Sequence, residues 1–395
     1  MSKNPRDPVV VAAVRTPVTK ARKGGLKDTR PDDLMIIAVK GLLAKVPSFD
    51  PALIEDVVIG TAFPEAEQGM NLAKIVAMGA ELPDTVPGLT INRFCSSGLQ
   101  SLAQAASAIQ AGWIDVALTG GVESMSMIPM GGLKPAPNPA LIEQRADIYI
   151  TMGMTSENVC SRFDVSREDQ DAFAASSHDK AIAAIDGGKF VEETVPVETR
   201  VWDGSAWQDV TVSVDDGIRR GTTKEGLAGL RAVFSTTGAT TAGNASQVSD
   251  GAAATLVMSR AKAEELGLPI MGVLRSFKVV GVDPSVMGIG PAKAIPAAVE
   301  KAGITLDDVD VFEINEAFAS QAVYCVRELG IDVDRVNPNG GAIALGHPLG
   351  CTGAKLTATL LHEMKRRGSR YGVVSMCIGG GMGAAAVFER EDSKG

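Results

Sequence analysis

The sequence predicts a layered α/β protein, and three observations support this prediction. Short apolar runs typical of strands alternate with alanine-rich runs typical of helices. Aromatic residues make up only 4% of the chain while 43 residues are glycine, so the core must be built from aliphatic side chains with many close backbone approaches. A similar succession of helix, strand and glycine-rich loop occurs twice along the chain. Echoes of this kind are common in α/β proteins, but we favour two similar halves that share one core.

The predicted elements follow the same order in both halves. In chain order they are a buried strand at 9–14, a helix at 31–43, a strand at 57–60, a helix at 98–111, a strand at 116–120, a helix at 292–301, a strand at 310–314 and a strand within 372–381. Each half ends in a strand followed by glycines, DVALTGG at 115–121 and GVVSMCIGGG at 372–381. We predict that the halves span residues 1–271 and 272–395.

The amino-acid composition of residues 122–245 differs from that of both halves. They hold proline-rich stretches, charged runs such as SREDQDAF and FVEETVPVETR, and two of the three tryptophans. A long irregular stretch in a compact protein is usually functional. We therefore predict an inserted loop domain that leaves the first half and covers a ligand.

Bulk composition argues against several classes of function. The net charge of -9 disfavours nucleic acid or an acidic membrane as the main partner. The five cysteines are scattered without CxxC spacing, which predicts neither a disulfide framework nor a zinc site. The opening stretch MSKNPRDPVVVAAVRTP has too short an apolar run for a signal peptide, and no stretch approaches the length of a membrane span. We therefore expect a soluble, intracellular protein with reduced thiols.

The segment NRFCSSGLQ (92–100) places Cys95 just before a predicted helix. Ser96 and Ser97 are good capping residues, and Gly98 permits close approach. Unpaired N–H groups and the helix dipole would favour a thiolate at this position and lower the pKa of Cys95. Taken alone, the segment fits a nucleophile and a buried structural cysteine equally well.

A glycine-rich loop, NPNGGAIALGHPLGCTGAK (337–355), carries His347 and feeds a helix. Histidine is the natural base for a thiol because its ordinary pKa of about 6.5 is near working pH. We expect His178 and His362 to lie on the surface, since polar or basic residues surround them. His347 is therefore the candidate base, whereas Cys351 is expected to pack inside the following helix.

Two further segments carry candidate polar groups. SMCIGGGMGAA (375–385) places Cys377 at a strand end before glycines whose N–H groups could face an oxyanion, and it lacks the Lys-Ser/Thr of a phosphate-binding P-loop. FEINEAFAS (312–320) ends a strand with Asn315, whose amide can hold a water or simply cap a helix. Two cysteines and one histidine at strand and loop ends suggest thiol chemistry with a separate acid and base.

Together with GNASQVSDGAAA (243–254), these segments resemble the thiolase family over essentially the whole chain, in the family's order and spacing. The resemblance implies the thiolase fold, in which two α/β halves pack as a five-layer αβαβα core. It also implies an acyltransferase that cleaves or forms 3-ketoacyl-CoA thioesters by a ping-pong route through an acyl-enzyme. Coenzyme A is implied as a co-substrate, with no permanently bound cofactor and no metal.

The resemblance assigns the catalytic roles by motif. It implies that Cys95 is the acyl-carrying nucleophile, and that His347 activates it and contributes to a first oxyanion hole. Cys377 corresponds to the family's second cysteine, an acid/base, and Asn315 to the residue that holds a water in the first hole. The N–H groups of Cys95 and Gly379 are implied to form a second oxyanion hole.

The resemblance also implies contacts with coenzyme A. The implied contact residues are Ser246, Phe234, Ala242, Phe318 and Met152, with Arg219 at the nucleotide end. Arg219 belongs to a basic cluster with Arg220, Lys224 and Arg231, which fits either phosphate binding or a solvated run of charge.

Departures from family patterns bear on the substrate. Biosynthetic acetoacetyl-CoA thiolases usually carry a histidine before Met-Gly in the covering loop, but ITMGMTSEN (150–158) has Thr151 there. Residues 216–388 look most like the degradative, peroxisomal-type 3-ketoacyl-CoA thiolases, so we favour a broad-range degradative enzyme over a biosynthetic one. Ketoacyl synthases use two histidines, which disfavours that class, and a non-catalytic CoA or lipid binder would not need every catalytic match. The family implies a homodimer, or else a tetramer, and we expect a cytoplasmic location, or a peroxisomal or other matrix location in a eukaryote.

Overall fold

The structure is a computed structural model that describes residues 3–391, so the outer ends of the predicted halves, 1–2 and 392–395, lie outside the described residues. In chain order the strands are β1 (Pro8–Arg15), β2 (Thr19–Lys20), β3 (Asp56–Gly60), β4 (Gly88–Ile91), β5 (Val116–Ser124), β6 (Val197–Trp202), β7 (Trp207–Val212), β8 (Ser249–Ser259), β9 (Gly272–Gly281), β10 (Val311–Ile314), β11 (Tyr371–Ile378) and β12 (Met382–Glu389).

The helices begin and end within a few residues of the predicted positions wherever a helix was predicted. They are α1 (Pro31–Ala44), α2 (Leu72–Gly79), α3 (Ser97–Gln110), α4 (Pro139–Arg145), α5 (Met152–Arg162), α6 (Arg167–Asp186), α7 (Lys224–Ala228), α8 (Arg260–Glu265), α9 (Gly290–Lys301), α10 (Ala319–Leu329), α11 (Ala342–Leu345) and α12 (Thr352–Arg367). Short 3₁₀ helices lie at Pro51–Leu53, Ala66–Gln68, Phe94–Ser96, Ala146–Tyr149, Pro284–Ile289 and Val333–Arg335.

The sheet repeats one topology twice. Its strand order is β10-β11-β12-β9-β1-β8-β5-β3-β4, with β2 paired against β8. In the first half β3 is parallel to β5, β5 is antiparallel to β8, and β8 is antiparallel to β1. In the second half β10 is parallel to β11, β11 is antiparallel to β12, and β12 is antiparallel to β9. The halves join where β1 pairs briefly with β9, so the prediction of two similar halves around one core is confirmed.

Alternating side chains along each strand build the layers. In β8, Leu256 and Met258 belong to an apolar cluster with α1, whereas Val257 belongs to a central cluster with α3 and α12. In β11, Val374 faces the same central cluster while Val373 belongs to a third cluster with α9. The order α1, sheet, α3 with α12, sheet, α9 is the five-layer arrangement that was expected.

Glycines let α3 and α12 meet between the two halves of the sheet. A Cβ at Gly98 would lie 2.8 Å from the backbone nitrogen of Ala354, and one at Gly353 would lie 2.3 Å from that of Leu99. Only glycine permits this approach, because the neighbouring atoms belong to the backbone. The N-termini of the two helices therefore lie side by side, each just after a segment that carries a candidate catalytic residue.

The inserted region 122–245 is more regular than predicted. It contains the end of β5, the helices α4 to α7 and the hairpin of β6 and β7. Helix α6 begins with a reciprocal capping box between Ser166 and Asp169 and packs against α7, α10 and α11. The boundary at 271/272 stays a prediction. No helix within residues 3–391 is long and apolar enough to cross a membrane.

Candidate active site

A cavity of about 200 Å³ opens beside the N-termini of α3 and α12. Both Cys95 and His347 line it. The rest of the wall is mostly apolar and consists of Met125, Met130, Thr151, Met152, Gly153, Phe234, Ala245, Ser246, Gln247, Val248, Met287, Ala317, Phe318 and Leu349. An apolar pocket with a few polar groups and several adaptable methionines suits an acyl chain attached to a reactive carbonyl.

Cys95 lies in the 3₁₀ turn Phe94–Ser96 that leads into α3. The expectation that serines cap this helix is wrong, because Ser96 stands at the N-cap without a side-chain capping bond. Ser97 Oγ instead accepts the Arg93 N–H at 2.9 Å and donates to the Phe94 carbonyl at 2.7 Å, which closes the turn. Phe94 has a φ of 43°, a conformation that costs energy for a bulky residue and is often found at functional sites.

Burial controls the ionisation of Cys95. Loss of water raises the pKa of the Cys95 thiol to about 12, although the N–H groups of Gly379 and Cys95 point at the sulfur and oppose this rise. The buried carboxylate of Glu123 adds to the increase. The expected lowering of the pKa is therefore wrong for the resting site, because desolvation outweighs the helix N-terminus.

His347 is held from both sides of its ring. Its Nδ1 lies 2.5 Å from Thr352 Oγ1, and that hydroxyl donates to the Pro348 carbonyl at 3.0 Å, so Nδ1 carries the ring proton. Nε2 then accepts from Asn315 Nδ2 at 3.3 Å. Burial, with help from the cation of Lys355, lowers the pKa of His347 to about 3, so the ring is neutral and its one lone pair, at Nε2, is shared only with the long contact from Asn315.

Asn315 joins this histidine to the sheet. Its backbone N–H donates to the Ser375 carbonyl at 2.9 Å, which fixes the end of β10 beside β11. Its side chain is buried, and Oδ1 has no hydrogen-bond partner among the described atoms. A buried carbonyl oxygen of this kind calls for a donor, so Asn315 can accept from a water or a substrate group.

Cys377 lies behind the cavity wall. It is fully buried near the end of β11 and packs with Ala245, Met287 and Phe318, which line the cavity. Its thiol donates to Gln321 Oε1 at 3.8 Å. Burial and the nearby thiol of Cys95 raise the pKa of Cys377 well above its ordinary value. The structure therefore places a second, protonated thiol close to the first.

The structure brings together only some of the residues expected to contact coenzyme A. Ser246, Phe234, Phe318 and Met152 line the cavity, and the rings of Phe234 and Phe318 meet edge to face at 6.1 Å. Ala242 and Arg219 are exposed and lie outside the cavity lining. In the basic cluster, Arg220 forms a bidentate pair with Asp186 and Lys224 lies 3.8 Å from Glu168, so part of the cluster is an ordinary surface charge network.

The prediction that His178 and His362 lie on the surface is wrong. His178 is buried on α6 and accepts the Arg219 N–H at Nδ1, 3.2 Å away. His362 is buried because α12 runs between the two halves of the large sheet, and its Nε2 contacts the Ala13 carbonyl at 3.1 Å. The neighbour of His178, Asp179, lies on the exposed face of α6, and the basic neighbours of His362 belong to the exposed last turn of α12, which explains the error.

Three positioning residues were missed in the sequence. Thr352 orients His347, and Gln321 contacts Cys377. Glu123 accepts the N–H groups of Ala62 and Gly350, which ties the chain after β3 to the loop after His347. A hydroxyl five residues after the histidine was a weak signal for Thr352, whereas the sequence offered none for Gln321 and Glu123.

The fold and this site are those of an acyltransferase with a buried thiol. The family model for the thiolase N-terminal domain matches residues 8–261, and that for the thiolase C-terminal domain matches residues 268–390. The chain therefore belongs to the thiolase family.

Relatives extend over nearly the whole chain. The 3-ketoacyl-CoA thiolase of Bacillus subtilis is 54% identical over 389 residues, which are 97% of this chain and 99% of that relative. The dimeric peroxisomal thiolase of Saccharomyces cerevisiae has a similar structure, with a TM-score of 0.90, 43% identity and 99% coverage of both chains. Human mitochondrial 3-ketoacyl-CoA thiolase in complex with CoA has a TM-score of 0.89 and 38% identity, with 98% of each chain covered.

Proposed function

We propose that this chain catalyses the reversible thiolytic cleavage of 3-ketoacyl-CoA thioesters through an acyl-Cys95 intermediate. The observation that carries the proposal is that Cys95 and His347 share one cavity, with the Gly379 N–H directed at the Cys95 sulfur. The names of the similar bacterial and peroxisomal thiolases support the same substrate class.

In the first half-reaction, His347 Nε2 takes the Cys95 proton as the sulfur attacks the 3-keto carbon. The N–H groups of Cys95 and Gly379 stabilise the resulting oxyanion. The bond between C2 and C3 then breaks, the thioester oxygen of the departing enolate is stabilised beside His347 and Asn315, and Cys377 protonates C2. Acetyl-CoA leaves and the acyl group remains on Cys95.

In the second half-reaction, Cys377 recovers its proton from the thiol of an incoming coenzyme A. The CoA sulfur attacks the acyl-Cys95 carbonyl, and the same N–H groups stabilise the second oxyanion. Cys95 leaves as a thiolate and takes back its proton from His347. The sum of both halves consumes one ketoacyl-CoA and one CoA and returns both thiols and the imidazole to their starting states.

Mass spectrometry of peptides tests the nucleophile. Incubation with an acyl-CoA should add one acyl group to the peptide that contains Cys95, and Cys95→Ser should abolish this addition. Cys160→Ser is a matched control, because Cys160 lies on α5 outside the cavity lining. Thiolysis by Cys95→Ala at the full rate would contradict the proposal.

We propose a broad-range, degradative enzyme. Thr151 lines the cavity at the position where biosynthetic acetoacetyl-CoA thiolases usually carry a histidine. The surrounding wall contains methionines, whose flexible side chains can adapt to acyl chains of different length. Cleavage rates for acetoacetyl-CoA and 3-ketooctanoyl-CoA should both be substantial. Strict preference for the four-carbon substrate would contradict this part of the proposal.

We propose that coenzyme A enters past Phe234 and Ser246, with its phosphates near the exposed side chains of Arg219 and Arg231. Exposed cations near the mouth of an acyl-CoA site would attract the phosphates in a salt-dependent way. Arg219→Ala with Arg231→Ala should raise the KM for CoA with little change in kcat, and the rise should shrink at high salt. Removal of the distant surface cation of Lys40, paired with Glu81, is the control.

We propose that the chain forms a homodimer. Strand β4 ends the sheet order, and Leu89 on this edge is exposed close to exposed Ile75 and Met78 of α2. The edge of a sheet that is exposed in the isolated chain and carries apolar side chains is a template for pairing with another chain. Sedimentation velocity should show a dimer that Leu89→Lys weakens, and a wild-type monomer at micromolar concentration would contradict the proposal.

We propose a cytoplasmic location, in keeping with five cysteines that are all free thiols. Fractionation of the source cells with an antibody would test this, and recovery in a membrane or secreted fraction would contradict it.

A further inference from the structure

We propose that the side-chain amide of Gln321 positions the Cys377 thiol for proton transfer at the carbon–carbon bond step. This inference rests on the function proposed above, because it concerns the acid/base of that reaction. It makes Gln321 a positioning residue that acts through Cys377.

The amide oxygen of Gln321 is a fixed acceptor. Gln321 is fully buried in the first turn of α10, and its Oε1 accepts the Ala317 N–H at 3.1 Å. Because an N–H can only donate, this bond establishes which end of the amide is oxygen. The same oxygen lies 3.8 Å from Cys377 Sγ, so the thiol faces an acceptor that the backbone holds in place.

Packing keeps this arrangement in place. The backbone at Gly288 lies so close that a Cβ there would be 2.6 Å from Gln321 Cβ. Met287, its neighbour, packs in the same apolar cluster as Cys377. Gln321 therefore has little room to move away from the thiol.

The other end of the amide interacts with a third thiol, that of Cys325 on the same helix, and this interaction opposes the rise that burial causes in the pKa of Cys325. Gln321 Nε2 is buried and makes no hydrogen bond of ordinary length among the described atoms, which costs stability. A glutamine in the first turn of a helix can serve simply as a cap, but a cap alone does not require a thiol beside the amide oxygen. What the amide uniquely adds is a neutral acceptor, which favours the protonated form of a neighbouring thiol.

This role predicts a larger effect on carbon–carbon bond cleavage than on the CoA step, in which Cys377 also takes part. During cleavage the electrons of the C2–C3 bond move to the enolate, and the Cys377 proton passes to C2. An enolate carbon is strongly basic and needs that proton, whereas the sulfur of CoA is a much weaker base, as thiols are, and can leave as a thiolate without it. Exchange of CoA between acyl-CoA and acyl-Cys95 should therefore depend much less on Gln321.

The test compares these two activities in Gln321→Met. We expect cleavage of a 3-ketoacyl-CoA to fall by about tenfold or more while acyl exchange between acyl-CoA and isotopically labelled CoA changes by less than about threefold. Deuterium uptake from D₂O into the methyl group of acetyl-CoA should slow in proportion to cleavage. Gln321→Glu, which keeps an acceptor for the Cys377 thiol and gives up only the contact of Nε2 with Cys325, should recover cleavage.

Gln170→Met is the matched control. Gln170 is also fully buried on a helix and also contacts a cysteine, Cys160, at 3.3 Å, but it lies outside the cavity lining. Its ratio of cleavage to exchange should equal that of the wild type. A destabilised fold would lower both activities in either variant and leave the ratio unchanged.

Several outcomes would overturn the inference. These are an unchanged ratio in Gln321→Met, or cleavage in Gln321→Glu that is no better than in Gln321→Met. If Gln321→Met does not fold, the pH profile of Gln321→Glu decides: its carboxylate should move the alkaline limb of cleavage to higher pH, and an unmoved limb would count against the inference. A wild type without either activity would instead refute the proposed function.

Discussion

Replacement of Thr352 by valine should disable His347 while leaving the volume of the site nearly unchanged. The hydroxyl is 2.5 Å from His347 Nδ1 and, through its bond to the Pro348 carbonyl, it can only accept from the ring. Without it, the Nδ1 proton is left unpaired inside the protein, or it moves to Nε2, where Asn315 Nδ2 already donates. The first costs about 1–3 kcal/mol, and the second removes the lone pair that takes up the Cys95 proton.

A penalty of about 1–3 kcal/mol corresponds to a rate that is about 5- to 150-fold lower. Single-turnover acylation of Cys95, followed by rapid quenching and mass spectrometry, measures this rate directly. Thr352→Ser keeps the hydroxyl and is the control, so it should acylate at close to the wild-type rate. The reasoning is refuted if Thr352→Val acylates as fast as wild type, or if Thr352→Ser is equally slow.

Three further predictions concern stability. Burial lowers the pKa of His347 from its ordinary value of about 6.5 to about 3, so the neutral ring contributes fully to stability above pH 6.5 and this contribution is lost as the pH falls toward 3. Urea titrations of His347→Asn should therefore show a weaker pH dependence of the free energy of unfolding in this range than the wild type. An equal dependence would count against this prediction. Glu123 Oε2 accepts the N–H groups of Ala62 and Gly350, and Oε1 accepts from the Gln68 amide at 2.6 Å, so the N–H₂ of Glu123→Gln would face a donor in either orientation. This variant should lower the free energy of unfolding by about 1–3 kcal/mol, which an unchanged urea midpoint would disprove. Gly353→Ala places a Cβ within 2.3 Å of the Leu99 backbone nitrogen and should lower the free energy of unfolding by about 1–3 kcal/mol. Gly226→Ala on α7 is the control and should not destabilise the protein, because the nearest atom to its Cβ lies at 3.4 Å. Equal melting temperatures of the two variants would contradict this prediction.

Much of the fold could be predicted because its signals are local. Strand β1 is a run of valine and alanine, α1 opens with proline and two acidic residues, and each half ends in a strand followed by glycines. Contacts between segments that are distant in the sequence could not be predicted from these local signals. The polar residues of α12 look exposed in sequence, yet Glu363 is buried and accepts from Asn339, because the two halves of the sheet enclose the helix.

The candidate site was partly predictable for a topological reason. Asn315 and Cys377 both lie at the carboxyl ends of strands, and β10 and β11 are parallel neighbours, so these ends meet at one edge of the sheet. Cys95 and His347 precede helices whose N-termini meet through glycines. The supporting contacts of Thr352 and Gln321 depend on side-chain geometry across segments, which no spacing in the sequence records.

The direction of the pKa shifts changes the role of the α3 N-terminus. The sequence suggested that this helix would ionise the resting thiol, but burial raises the pKa of Cys95 to about 12 and lowers that of His347 to about 3. Both shifts disfavour a thiolate–imidazolium pair, so in the proposed mechanism the proton must move as the substrate carbonyl is attacked. The negative charge then appears on the substrate oxygen, where backbone N–H groups can stabilise it. The helix start thus contributes through the Cys95 N–H, which stabilises charge that develops during the reaction, and a buried, water-poor cavity makes that contribution larger.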